Sequence, residues 1–599
     1  MELKPAPEVD NHIAARFRRF SCSLFQHHLK ILPLSLLLYL ISIIIFYPVF
    51  LPDLSDINPF DEAAYLYKGY LLLHGQGLST FSSNPFTQLF YALMVLPFKN
   101  SVFWMVHACS LGRFVSFTLL WIGACRIGTS LSDRIQPLML PVMLIISPLM
   151  PAFLRFPSDP LYAGFAALAL AKTLEFIKTN KRTDLSHASI FLGIAALSRN
   201  DGVLLFLVFI TLVLLWVILK KKPVRIVLSS AAPFLLLVGG YILLYGIFTG
   251  DFNPGTMRRT YDNFETGHGV IEQVNTGLPD TPAAKLAARE AYGTPEENNY
   301  SVFTAIRKRP DLYLARVKTI LAEMPRAILN AYGLRITAVL ILMSVWGVIS
   351  LLRAKEWERL FLLSFWPAPF VSGFVITIFR TGHLQFYALV VHALAGIGLF
   401  TILRNLHSRN TRRGILSALA LVTLYGFLDN KLAVAYGGYI FFAAFILIMR
   451  TTGQKNPADG PITMMILLAA LIITQGVFPT PKIRTLGEDP QEQIVLYISQ
   501  EMEEVQTFAS ASPGIIHAAR KRSVVLTSVD VPTDNSAEDF MVWLQAQGVE
   551  AVYIDKFLTS RSPALWKQIQ RVIGNGLSRV FHTDDGSYQI LLVDDPLGK

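Results

Sequence analysis

Charge is scarce in this chain. Only 16% of its 599 residues are Asp, Glu, Lys or Arg, against about a quarter in a soluble globular protein. With 53% hydrophobic residues and a mean hydropathy of +0.45, that shortage excludes an ordinary soluble domain and implies a multi-span membrane protein. Cysteine is nearly absent. Cys22, Cys109 and Cys125 supply neither a disulfide framework nor a thiolate metal site, and the last two share one apolar segment, where they read as packing residues. The formal net charge of +11 does not imply nucleic acid, because the basic residues sit in short loops between apolar runs, as cytoplasmic loops require. No removable signal peptide is expected. The basic start through Arg16, Arg18, Arg19 and Lys30 leads into an apolar run too long for a signal core, with no small-residue cleavage site after it.

Roughly 20 apolar residues are needed to cross the hydrocarbon. On that basis spans fall near 31–52, 102–126, 135–154, 160–177, 185–199, 202–219, 226–248, 336–352, 360–379, 384–403, 413–428, 431–449 and 462–479. The fold class is therefore a polytopic α-helical membrane protein with about 11–13 transmembrane helices. With the basic N-terminus (1–30) inside, the cytoplasmic junctions carry Arg134; then Lys178, Lys181 and Arg182; then Lys220, Lys221, Lys222 and Arg225. Further on they carry Arg353, Lys355 and Arg359, then Arg404, Arg409, Arg412 and Arg413, then Arg450 and Lys455. This is the positive-inside bias. It puts loops 53–101 and 249–335 outside, and the odd span count leaves the chain after 480 outside as well.

Two regions are not simple spans. In 53–101, Pro85 and Pro97 bracket too few residues to cross, so the amphipathic run 86–98 reads as a helix lying on the bilayer. From 481 to 599 the composition turns soluble. Short strand patterns at 524–527, 551–554 and 588–593 alternate with helical patterns at 488–509, 536–548 and 563–573. That is a small α/β domain without a nucleophile elbow, Gly-rich phosphate loop or metal spacing, suited to a cap or an acceptor-binding module.

The outward junctions gather polar groups. Asp56, Asp61 and Glu62 follow the first span; Arg155, Ser158 and Asp159 precede the fourth; Ser198-Arg199-Asn200-Asp201-Gly202 interrupts an apolar stretch. Arg258 and Arg259 follow the seventh, and Arg380, His383 and Tyr387 lie beyond the ninth. Charges at a membrane face are costly unless solvated or used, and carboxylates beside arginines suit a base with a charge clamp for phosphate. Plainer readings stand beside this one. Asp61 and Glu62, or Asp159, also fit helix caps; Arg199 with Asp201 fits a structural ion pair; Arg258, Arg259 and Arg380 fit surface charge, and His383 an interfacial packing residue.

The order of these motifs resembles the GT-C superfamily of integral-membrane glycosyltransferases. Asp61-Glu62-Ala63-Ala64-Tyr65, with His74-Gly75-Gln76-Gly77 after it, is similar to the DE-x-x-Y pattern of the protein mannosyltransferase and aminoarabinose transferase group. Ser158-Asp159-Pro160 is similar to that group's second-loop aspartate, and Ser198-Arg199-Asn200-Asp201-Gly202 resembles its R-P-E-G break with Asn and Asp in place of Pro and Glu. Asn253-Pro254-Gly255-Thr256 is similar to the P-N-T-x-x-x-K stretch of arabinofuranosyltransferase-like members, with Arg259 roughly where a lysine is usual. The resemblance implies transfer of a sugar from a polyprenyl-phosphate donor to an envelope glycan, glycolipid or protein at the outer face of a bacterial inner membrane. It implies Asp61, Glu62 or Asp159 as base, and Arg258, Arg259, Arg380, His383 and Tyr65 toward the donor phosphate. Asp56, Arg155, Arg199 and Asp201 would serve the acceptor or the scaffold. A divalent cation, Mg²⁺ or Mn²⁺, on Asp61 and Glu62 is compatible with oxygen ligands, though no spacing demands one. A lipid-sugar flippase or transporter is the competing class; it predicts internal repeats and midplane charges, which the sequence lacks. A non-catalytic envelope-assembly scaffold is the other alternative.

Overall fold

The structure is a computed structural model that describes residues 32–75, 84–131, 150–250, 256–276, 281–332, 334–369, 385–428, 432–452, 489–526, 537–583 and 586–594, with isolated positions at 252, within 463–474 and at 531–532. Residues 1–47 and 48–599 form two compact units. In the first, helix α1 (Leu32–Ile45) is a run of Leu and Ile.

The second unit begins with two short helices, α2 (Glu62–Leu73) and α3 (Pro85–Val95), and then the long α4 (Trp104–Leu131). At 1.5 Å per residue α4 is about 42 Å long, enough to cross a bilayer and project from it. Next come α5 (Asp159–Thr179), α6 (Arg182–Ser198), α7 (Asp201–Leu219) and α8 (Arg225–Thr249). Loop 249–335 folds into α9 (Thr256–Thr276), α10 (Thr281–Tyr292), α11 (Val302–Lys308) and α12 (Pro310–Tyr332). These close a small core of Tyr261, Phe264, Tyr292, Val302 and Ala305. The bundle continues with α13 (Leu334–Arg353), α14 (Trp357–Phe365), α15 (Gln385–Arg404), α16 (Arg409–Leu428) and α17 (Leu432–Thr452).

Five described helices, α4, α5, α7, α8 and α17, are long and apolar enough to cross a membrane. Helices also stand at the expected spans 185–199, 336–352, 384–403 and 413–428. Most of 135–154, 360–379 and 462–479 lies outside the described residues. Helix pairs meet where side chains vanish, as expected when packing rather than water drives association. A Cβ on Gly123 of α4 would sit 2.6 Å from the Ala167 Cβ of α5. At the α13–α15 crossing a Cβ on Gly347 would overlap the Leu394 carbonyl oxygen, and one on Gly398 would overlap that of Met343.

Helices α2 and α3, expected as surface helices lying on the bilayer, also pack within the protein. Tyr65, Leu66, Tyr91 and Val95 are buried in a shared core with Trp104 and Met105 of α4 and with Ile494, Ile498, Phe508 and Ile515 from the C-terminal region. Leu89 and Leu93 of α3, with Leu96 just beyond its end, stay exposed.

The C-terminal region follows α18 (Pro490–Glu501) and holds a five-stranded sheet in the order β2-β1-β3-β5-β4. Its strands are β1 (Thr507–Ser510), β2 (Arg522–Val525), β3 (Ala551–Ile554), β4 (Leu577–His582) and β5 (Gln589–Val593). The strands β2, β1 and β3 are parallel, and β5 pairs antiparallel with both β3 and β4. The helical pattern expected over 488–509 overran: residues 507–510 form β1, because Phe508 and Ala509 fill the sheet core with no helical periodicity to bury. Strand β4 was not expected. Its exposed Ser578, Arg579 and Val580 mark an edge, which carries little apolar signal.

A short helix, α19 (Gly514–Ala518), docks this domain on α2. The indole of Trp104 donates to the Ala518 carbonyl at 3.0 Å, Arg520 donates to the Lys99 and Ser101 carbonyls at 2.9 Å each, and Phe60 meets Phe557 at 5.2 Å. His517 stacks flat on Tyr67, with centroids 4.3 Å apart and planes within 4°.

Gly398→Ala should lower stability by about 1–3 kcal/mol, the cost of overpacking, read as a drop in detergent thermal unfolding; an unchanged Tm would contradict the close α13–α15 crossing. Burial, followed by the charge of Lys68, holds the His517 imidazole down to about 4 from its usual 6.5. The unfolded chain therefore binds the extra proton between those values. The stabilisation is complete above pH 6.5 and is lost as pH falls toward 4. Thermal unfolding from pH 7.5 to 4.5 should show that slope, and His517→Phe should flatten it.

Candidate active site

Polar helix ends converge at one end of the bundle. They are the starts of α2, α3, α5, α7 and α9 and the end of α6. Two ion-pair systems organise them, one that is closed and one that faces the site.

The closed system is centred on Glu62, in the first turn of α2 and fully buried. Arg113, in the middle of apolar α4, grips it with Nη2 to Oε2 at 2.6 Å and Nε to Oε1 at 2.9 Å. Arg113 also donates to the Val49 carbonyl at 2.9 Å and the Asp56 carbonyl at 3.1 Å. These bonds tie the guanidinium to Glu62, to Asp56 in the loop that carries Asp61 and to Val49. The sequence reading missed Arg113, although an arginine inside an apolar span was the available signal.

Asp61 occupies the position before α2 but makes no cap hydrogen bond there. Asn58 forms an Asx turn ahead of the helix, its Oδ1 accepting from the backbone N–H of Phe60 at 3.0 Å and of Asp61 at 3.1 Å. The Asp61 carboxylate instead acts on Arg259, at the start of α9. Arg259 donates to the Tyr65 hydroxyl at 2.6 Å and lies over its ring, 5.8 Å from the centroid. Asn84 donates to the same hydroxyl at 2.6 Å. The Tyr65 oxygen foremost, and Asp61 after it, hold the Arg259 guanidinium above its ordinary range despite burial. Lys68, one turn along α2 from Tyr65, is pulled below its usual value by burial and then by the charge of Arg259. Two cations at this proximity repel each other, and an anion between them would relieve the repulsion. Lys68 also went unnoticed in the sequence, where it reads as one lysine on an amphipathic helix.

Arg199, at the end of α6, bonds both Asp159 in the first turn of α5 and Asp201 in the first turn of α7. Both acids sit where helix N-termini favour negative charge. Thr87 of α3 donates to the Ser198 carbonyl at 2.9 Å, tying this triad to α3, and Arg199 is close enough to act on Arg259. Asp159 is 2% exposed.

The other expected residues lie apart. Arg258 turns away, its guanidinium 5.1 Å from the Tyr300 ring. Asp56 pairs with Arg155 at 3.1 Å, both partly exposed. Arg380 and His383 lie outside the described residues. Glu62, considered with Asp61 for Mg²⁺ or Mn²⁺, gives both oxygens to Arg113. Among the described residues no three His, Cys, Asp or Glu side chains gather in a metal-binding group.

No family model and no curated protein matches this sequence. Solved structures do. ArnT from Cupriavidus metallidurans bound to undecaprenyl phosphate superimposes with a TM-score of 0.54 at 12% identity, covering 94% of this chain and 98% of that one. The chain has the GT-C fold. The same ArnT in its apo state gives 0.52 at 11% identity, with the same coverage. An oligosaccharyltransferase from Archaeoglobus fulgidus, in the apo form, gives 0.45 at 12% identity over 94% of this chain and 74% of that one. Within the GT-C fold the mostly helical membrane body and the small C-terminal sheet domain are both accounted for.

Glu62→Gln should cost about 3–5 kcal/mol by leaving the Arg113 charge buried without its partner. Folded yield and Tm in detergent measure it, and a wild-type Tm would show that the pair does not anchor the loop.

Proposed function

We propose that the protein is a membrane glycosyltransferase that moves a sugar from a polyprenyl-phosphate donor to a hydroxyl on an envelope glycan, glycolipid or protein. The observation that carries this reading is the grouping of Asp61 with Arg259, Tyr65 and Lys68: a carboxylate beside a cationic cradle, at the end of an apolar bundle. The GT-C fold shared with an ArnT structure bound to undecaprenyl phosphate supports it.

In the proposed inverting displacement the acceptor oxygen attacks the anomeric carbon from the face opposite the phosphate. The new C–O bond forms as the bond to phosphate breaks, and its electron pair leaves with the polyprenyl phosphate. Asp61 takes the acceptor proton. Arg259 and Lys68 offset the charge that grows on the departing phosphate. Glu62, held by Arg113, fixes the position of Asp61 and does not itself accept the proton. Asp159, oriented by Arg199, lines the acceptor side together with Asp201. The basic junctions such as Lys220, Lys221, Lys222 and Arg225 favour an N-terminus in the cytoplasm. Loops 53–101 and 249–335 and the 481–599 domain would then lie outside an inner membrane.

Purified protein given a radiolabelled polyprenyl-phosphate sugar tests this. Asp61→Asn should cut turnover by about 10²–10⁴-fold, the usual contribution of a general base, while leaving donor binding intact. Arg259→Gln and Lys68→Met should weaken binding of polyprenyl phosphate. Full turnover in Asp61→Asn rejects the assigned base.

A further inference from the structure

A cavity at the carboxyl ends of β1 and β3 plays no part in the displacement chemistry. In the order β2-β1-β3 all three strands are parallel, and the chain leaves β1 toward β2 on one flank, then crosses to β3 on the other. Loops that depart from such a switch point diverge and leave a crevice, the place where open α/β sheets bind ligands. Here Ser512 and Gly514 follow β1, and Asp555 and Phe557 follow β3, around a cavity of about 130 Å³. Pro59 and Ala63, two residues on either side of Asp61, close it from the α2 side.

Its polar groups are built in rather than incidental. The Ser512 hydroxyl donates to Asp555, whose other oxygen accepts from the Leu558 N–H at 2.8 Å; Ser512 and Asp555 are both 5% exposed. The Gln491 amide donates to the Tyr588 hydroxyl at 3.3 Å. The ring of Tyr553 lies parallel to that of Tyr588, with centroids 6.5 Å apart. Tyr553 is fully buried and is not one of the residues that line the cavity.

The lining also selects the ligand. Asp555 and Lys556 cancel in charge, which favours neither an anion nor a cation. The remaining polar groups are hydroxyls and an amide, set against an apolar wall that includes Ile57 and Met105. A neutral ring with hydroxyls along one edge and C–H groups on its face fits both sides. At about 30 Å³ per water the space equals roughly four waters, room for part of one ring and not for an oligosaccharide. We infer that this crevice is a saccharide subsite. Resting on the glycosyl-transfer reading, it holds one sugar of the acceptor beside the loop that carries Asp61.

Saturation-transfer NMR on the full chain in detergent, with glucose, galactose, mannose and N-acetylglucosamine as probes, tests the inference. Signal to at least one sugar is expected, and a Gln491→Ala/Tyr588→Phe variant should weaken it by about tenfold. Equal signal from wild type and variant, or no signal from any of the four sugars, overturns the subsite. Binding of polyprenyl phosphate, measured in parallel, reads the Arg259 and Lys68 cradle. Its loss in wild type strikes the glycosyl-transfer reading and leaves the saccharide subsite standing.

Discussion

The bidentate pair between Glu62 and Arg113 is the constraint on which the polar end of the molecule depends. A guanidinium in the middle of an apolar helix is tolerable only when most of its donors are satisfied. Arg113 meets four of its five N–H donors with both oxygens of Glu62, the Asp56 carbonyl and the Val49 carbonyl. The desolvation cost of the two charges is thereby offset within one geometry, and that geometry holds Asp61 in place. A looser anchor would leave the loop before α2 less constrained.

From that anchor two layers spread. On one side Tyr65, Asn84, Lys68 and Arg259 build a cationic wall, and the Arg199 triad joins α5, α6 and α7 at the same end. On the other side the C-terminal sheet leans on α2 through α19, with His517 flat against Tyr67. One short helix therefore serves both layers. Its Tyr65 reaches the cationic wall, while Ala63 and Tyr67 contact the sheet domain, whose switch-point crevice opens against the same first turn.

The grouping of Asp159 with Arg199 and Asp201 was legible as a set of polar residues at matching span ends, and the sheet domain was legible from its change in composition. The division of labour within Asp61-Glu62 was not. Adjacent acids look equivalent in a string of letters, and only α4 decides that Glu62 is the partner of an arginine 51 positions away. Arg258 and Arg259 were equally indistinguishable until α9 turned one toward Tyr300 and the other toward Tyr65. Strand β1 was hidden because four residues of mixed polarity carry no period long enough to read.

Sequence alone determined the membrane class, the helical spans and the end of the bundle where polar groups collect, because hydropathy and charge placement act locally and additively along the chain. Only the tertiary structure decided which acid is locked, which cations face each other and where the sheet domain's crevice opens. Those outcomes depend on contacts between residues far apart in the chain, whose energies arise from burial and geometry that no local pattern encodes.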